Sequence, residues 1–146
     1  MLVVFPIGLW VFSFVCDLVA MRSANASFWG DMAFYTMAGG IIGALGAAVP
    51  GFLDYLGLRN PRVKRIATSH MLLNLTVVAL YVFNLGLRMN RPVNGNKSGV
   101  TISAIAMVLL AISGWLGGSL VYRHGVAVEP GSDSNADRSD RSDRAA

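Results

Sequence analysis

The sequence predicts an all-α protein, a four-helix transmembrane bundle followed by a disordered C-terminal tail. Three observations support this fold class. The 146-residue chain is 54% hydrophobic but only 14% charged, whereas an ordinary soluble domain is about 25% charged. Its mean hydropathy is +0.54. It also contains four long stretches without Asp, Glu, Lys or Arg, and a helix needs about 20 mostly apolar residues to cross a bilayer.

These charge-free stretches predict membrane spans at about residues 2–21, 32–56, 66–87 and 99–122, within one transmembrane domain at 1–128. A cleaved signal peptide is an alternative for the first span, because Ala24-Asn25-Ala26 resembles a signal-peptidase site. No Lys or Arg precedes the first apolar stretch and Asp17 interrupts its end. A membrane span is therefore the favoured interpretation.

The end of the chain has a different composition. Residues 129–146 hold five acidic residues, three arginines, four serines and one glycine, with no apolar face. Such a segment cannot bury enough apolar surface to fold, so we predict a disordered, solvated tail. Residues 1–128 carry the basic excess, but they show no nucleic-acid-binding module or basic helix face, so no nucleic-acid partner is expected.

The loops between the spans predict how the chain is oriented in the membrane. Arg59, Arg62, Lys64 and Arg65 lie between spans two and three, and Arg123 follows span four. The opposite side has four basic residues, Arg22, Arg88, Arg91 and Lys97. Because basic loops stay in the cytoplasm, this bias favours cytoplasmic positions for both termini.

Small residues recur at four-residue steps in two spans, Gly39, Gly43 and Ala47 in span two and Gly114 and Gly118 in span four. Small side chains let membrane helices approach closely. We expect these faces to pack within the bundle, and dimerisation through one of them is the alternative.

Span three carries a row of mainly polar residues, the polar stripe. Its members recur at steps of 4, 3, 4, 3 and 4 residues and are His70, Asn74, Val77, Tyr81, Asn84 and Arg88. This spacing places them on one helix face. Polar groups are costly in lipid, so the stripe should face the bundle interior and join span three to its neighbours.

Two acidic residues are the expected partners of this stripe. Asp17 lies toward the same end as Arg88, and an ion pair between them would offset the cost of both charges. Asp54 lies level with the start of span three, where it could accept a hydrogen bond from His70. Asp17, Asp54, Asn74, Tyr81, Asn84 and Arg88 are thus predicted to form an intramembrane polar network.

The two histidines, His70 and His124, lie toward the same face of the membrane. Imidazoles from neighbouring helices can ligate a haem iron, so a b-type haem held by His70 and His124 is an alternative function, although their depths differ by about two turns. No catalytic motif and no other metal site is found. We therefore expect a protein that is not an enzyme.

Several of these stretches resemble one family. They are Val4-Phe5-Pro6-Ile7-Gly8-Leu9, the small-residue span ending at Asp54, His70 with Asn74, and Gly114-Trp115-Leu116-Gly117-Gly118 through Leu120 to Val126. Over residues 2–128 the chain resembles the bacterial domain of unknown function 2231 family, predicted four-span membrane proteins.

The resemblance has two departures and one implication. Family members usually begin with His-Pro-x-His-Pro just before the position of Leu2, and many have an acid at the position of Ser119. The resemblance implies the bacterial inner membrane and no assigned activity. Further histidines before Leu2 would lie on the same predicted face as His70 and His124.

Three functions follow from these observations. The favoured one is a structural or accessory subunit of a membrane complex, with the lipid bilayer and either a membrane-protein partner or a second copy as its neighbours. The second is an electron-transfer protein with haem b. The third is an oligomeric carrier or channel lined by the polar stripe.

Overall fold

A computed structural model shows four α-helices and describes residues 2–89 and 97–124, with side chains up to residue 121. The helices are α1 (Val4–Ala20), α2 (Ala26–Leu56), α3 (Pro61–Met89) and α4 (Lys97–His124). No strand occurs in these two ranges, so the predicted all-α four-helix fold is confirmed. The tail predicted at 129–146 lies outside the described residues.

Three of the four helices are long and apolar enough to cross a membrane, namely α2, α3 and residues 97–121 of α4. The remaining helix, α1, is a shorter apolar helix of 17 residues. It is about 25 Å long, compared with a hydrocarbon core about 30 Å thick.

Helices α2, α3 and α4 start earlier than the charge-free stretches predict. Helix α2 starts at Ala26 and α3 at Pro61, whereas the predicted spans start at about 32 and 66. A charge-free stretch ends at the first charged residue, but the helix continues past it, because exposed side chains such as Asp31 and Lys64 point outward.

The bundle consists of two antiparallel hairpins. Helix α1 packs extensively on α2, and α3 packs extensively on α4, whereas α2 meets α3 and α1 meets α4 over smaller areas. Helices α1 and α3 therefore run parallel and lie diagonally across the bundle. Their side chains meet at its centre, where the rings of Trp10 and Tyr81 stack with centroids 4.4 Å apart. Around them the main core comprises Trp10, Met37, Ile41, Val77, Tyr81, Ala106 and Leu110.

The small residues of α2 receive α1. A Cβ at Gly43 would lie 2.9 Å from the Phe5 ring, and one at Gly40 would overlap the ring of Trp10. Gly114 and Gly118 of α4 have open space beside them instead. The expectation of packing inside the bundle is thus correct for α2 and wrong for Gly114 and Gly118, because α4 turns that face outward.

We expect Gly40→Ala to lower the melting temperature in detergent, because the added methyl group must displace a buried ring that is itself stacked on Tyr81. Overpacking of this kind costs about 1–3 kcal/mol. The matched control is Gly46→Ala on the exposed side of the same helix, where a Cβ meets nothing within 4 Å. Equal melting temperatures for the two variants would contradict the close packing of α1 on α2.

Candidate functional site

The polar stripe of α3 faces the interior of the bundle. Val77, Tyr81 and Asn84 are fully buried, while His70 and Asn74 nearer the start of the helix are half-buried. The four- and three-residue steps place these side chains on one face of α3, and that face lies against the other helices.

Asp17 and Arg88 form a bidentate ion pair across the bundle. Arg88 Nη1 donates to Asp17 Oδ1 at 2.7 Å and Nη2 donates to Oδ2 at 2.6 Å, and the side chains are 6% and 11% exposed. Arg88 Nε also donates to Asn84 Oδ1 at 3.3 Å. The two parallel hydrogen bonds match the planar guanidinium to the carboxylate. The structure thus brings together the two charges whose pairing the sequence suggested.

Asn84 uses both ends of its amide. Its Nδ2 donates to Gly99 O and to Ser103 Oγ, each at 2.9 Å, while its oxygen accepts from Arg88. On α1, Ser13 Oγ donates to Ala33 O at 2.7 Å. The bonds donated by Asn84 and by Ser13 each tie one helix of a hairpin to the other, whereas the Arg88–Asn84 bond lies within α3.

Ser13 and Ser103 are not predicted as site residues from the sequence, because a serine is common in an apolar membrane helix. The spacing contained a signal, since Ser13 lies three residues after Trp10 and four before Asp17. This places it on the inward face of α1.

His70 is held by α4 and by its own helix. Its Nδ1 lies 2.9 Å from Ser113 O and 3.0 Å from Ser113 Oγ, and Asn74 Nδ2 lies 3.1 Å from Nε2. A ring that donates from Nδ1 to the Ser113 carbonyl and accepts from Asn74 at Nε2 satisfies these contacts. The ring also lies against Gly117, where a Cβ would be 2.9 Å from its Cε1.

Two sequence-predicted site residues, Asp54 and Tyr81, lie elsewhere or act differently. Asp54 is exposed on the last turns of α2, and the Nδ1 of His70 is directed to Ser113 of α4 instead, because α3 packs more closely on α4 than on α2. The expected Asp54–His70 hydrogen bond is therefore not formed. Tyr81 is buried in the core through its ring, and its hydroxyl has no hydrogen-bond partner among the described residues, so its role in this part of the structure is packing. His124 ends α4, and its side chain lies outside the described residues.

The described side chains include no group of three or more His, Cys, Asp or Glu that could hold a metal ion. His70 is the cofactor-ligand candidate whose surroundings are described. Among the described residues, Asp17, Arg88, Asn84 and the buried serines connect helices through hydrogen bonds and one ion pair, whereas Trp10 Nε1 and the Tyr81 hydroxyl are buried without a hydrogen-bond partner.

We expect Asp17→Asn to lower the melting temperature in detergent substantially, because the Arg88 guanidinium would remain almost buried without a counter-charge. Breaking a buried pair from one side costs about 3–5 kcal/mol. The measurement is thermal unfolding of the purified protein.

The matched control for this substitution is the double variant Asp17→Asn, Arg88→Gln, which removes both charges and keeps polar groups in place. It should melt above the single variant, since no uncompensated charge remains. A single variant as stable as the wild type would show that the pair is not required.

The comparison with protein families agrees with this architecture. The model of a predicted membrane protein family, DUF2231, matches residues 1–130. No curated protein and no solved structure matches the chain. Because the family match spans the whole helical bundle, the chain belongs to the DUF2231 family of predicted membrane proteins.

Proposed function

We propose that the protein is a non-enzymatic structural or accessory subunit of a membrane complex. The observation that carries this proposal is the use of the interior polar groups in contacts between the protein's own helices. Asp17 pairs with Arg88, and Asn84 bonds to α4. Groups consumed in this way stabilise a scaffold, whereas a catalytic site needs polar groups free to meet a substrate.

The outward face of α4 is the surface that we propose for the partner. At Gly114 and Gly118 an added Cβ would meet no described atom of another helix within 4 Å, and Trp115 between them is 80% exposed. Two small residues four positions apart allow a second helix to approach closely in a membrane. The partner is then a transmembrane helix of another protein or of a second copy of this chain.

The test is purification from native membranes in a mild detergent, followed by native mass spectrometry. We expect a stoichiometric complex that Gly114→Leu, Gly118→Leu dissociates without lowering the melting temperature, because both sites are open. Gly46→Leu, at an equally open site on α2, is the control and should leave the complex intact. A monomer in the wild-type sample would contradict the proposal.

A b-type haem protein is the second candidate, and the geometry of His70 is the observation that favours it. A hydrogen bond from Nδ1 to a backbone carbonyl fixes the tautomer that leaves Nε2 free to ligate iron, and Nδ1 lies 2.9 Å from Ser113 O. Asn74 Nδ2 currently lies beside that Nε2, so it would have to move aside. The second ligand would be His124.

An absorbance spectrum tests the haem function. Haem predicts a Soret band that shifts on reduction with dithionite and that His70→Ala abolishes. Ser69→Ala is a suitable control, because Ser69 directly precedes His70 in the chain and is exposed. Its hydroxyl donates to the Arg65 carbonyl of the same helix. Absence of the band after expression with added haem precursor would exclude this function.

The carrier function has less support. Tyr81 and Asn84 are fully buried, so this part of the stripe lies in a packed interior.

For the location of the protein, we infer the bacterial inner membrane with both termini in the cytoplasm. Arg59 and Arg62 are exposed in and beside the turn between α2 and α3, and basic turns stay on the cytoplasmic side. A cysteine at Asn60 should then react with an impermeant reagent only after the cells are opened.

A further inference from the structure

Helices α1 and α3 carry similar sequences at a constant separation of 71 residues. Trp10-Val11-Phe12-Ser13 in α1 corresponds to Tyr81-Val82-Phe83-Asn84 in α3. The inward positions of both helices follow the same steps of 4, 3 and 4 residues; they are Pro6, Trp10, Ser13 and Asp17 in α1, and Val77, Tyr81, Asn84 and Arg88 in α3.

The structure places corresponding residues of these two helices against each other. Trp10 stacks on Tyr81, and two helical turns further along Asp17 pairs with Arg88. Both pairs are separated by 71 residues. Helices α1 and α3 are therefore parallel and in register over about 10 Å.

The second helices of the two hairpins correspond as well. Ser13 of α1 donates to the backbone carbonyl of Ala33 in α2, and its counterpart Asn84 donates to the carbonyl of Gly99 in α4. These two carbonyls are 66 residues apart in the chain. The same separation relates Gly40 to Ala106, both of which are buried small residues. Gly40 faces the Trp10 ring, and Ala106 belongs to the core cluster that contains Trp10 and Tyr81.

The contacts between helices complete the correspondence. The two extensive interfaces are α1–α2 and α3–α4, and the two smaller ones are α2–α3 and α1–α4. A twofold axis along the bundle exchanges α1 with α3 and α2 with α4. It superposes the α1–α2 interface on the α3–α4 interface, and the α2–α3 interface on the α1–α4 interface.

We propose that the chain is a tandem repeat of one α-hairpin, with two copies related by an approximate twofold axis, and that the inward faces of α1 and α3 are the surfaces by which the copies recognise each other. Positions 17 and 88 are equivalent but carry opposite charges. If the same hairpin from each of two chains were paired, Asp17 would face Asp17 or Arg88 would face Arg88, which is unfavourable in a membrane. The charge pair thus directs each α1–α2 hairpin to an α3–α4 hairpin.

Exchange of the two charges in the full chain tests the equivalence. Asp17→Arg and Arg88→Asp, made singly, should each lower the melting temperature by roughly 10 °C or more, because like charges then face each other. The double exchange should recover more than half of that loss, since the pair is restored in equivalent surroundings. A smaller recovery would overturn the equivalence of the two positions.

Distances between spin labels test the twofold axis directly. Labels are introduced in pairs at Val11, Ile42, Val82 and Val108, which are all exposed, in a Cys16→Ala background. The axis requires the 11–42 distance to match the 82–108 distance, and the 11–108 distance to match the 42–82 distance. Agreement within one helical turn, about 5.4 Å, supports the repeat. A larger difference in either comparison overturns it.

Discussion

The ion pair between Asp17 and Arg88 is the constraint on which the rest of the bundle depends. Each charge is almost completely buried, and an unpaired charge in a membrane is far more costly than an unpaired hydroxyl group. The pair fixes one axial offset between α1 and α3, which run parallel in the bundle. That offset also stacks Trp10 on Tyr81, so the interaction that neutralises the charges aligns the aromatic core two turns away.

The same offset explains why the polar stripe differs from one end to the other. Helix α1 begins at Val4, level with Leu75 of α3, so Arg88, Asn84 and Tyr81 lie opposite α1 and are buried. His70 and Asn74 lie beyond the first turn of α1 and are only half-buried. Their partners accordingly come from α4 and from α3 itself.

The sequence was sufficient for those features that depend on helical periodicity and on the cost of charge in lipid. These principles predicted the four helices, the inward direction of the polar stripe and the approach of Asp17 to Arg88. They were insufficient where several neighbours compete for one group. His70 could reach α2 or α4, and only the closer packing of α3 on α4 selects Ser113 over Asp54. Periodicity also places Gly114 and Gly118 on one face without saying which way α4 turns it.

The distribution of satisfied polar groups indicates where further chemistry belongs in this molecule. At the Arg88 end, the charged and amide groups bond across helices, so a ligand there would have to replace contacts that hold the hairpins together. At the His70 end, Nδ1 of His70 lies against Ser113 of α4, whereas its Nε2 meets the amide of Asn74 on the same helix, so a group approaching Nε2 competes with one local amide contact. A change of partner there would leave the ion pair and the aromatic core intact. The half of the polar stripe near Arg88 therefore connects helices of different hairpins, while the half near His70 connects α3 to α4 and leaves one ring nitrogen held only by a neighbour on its own helix.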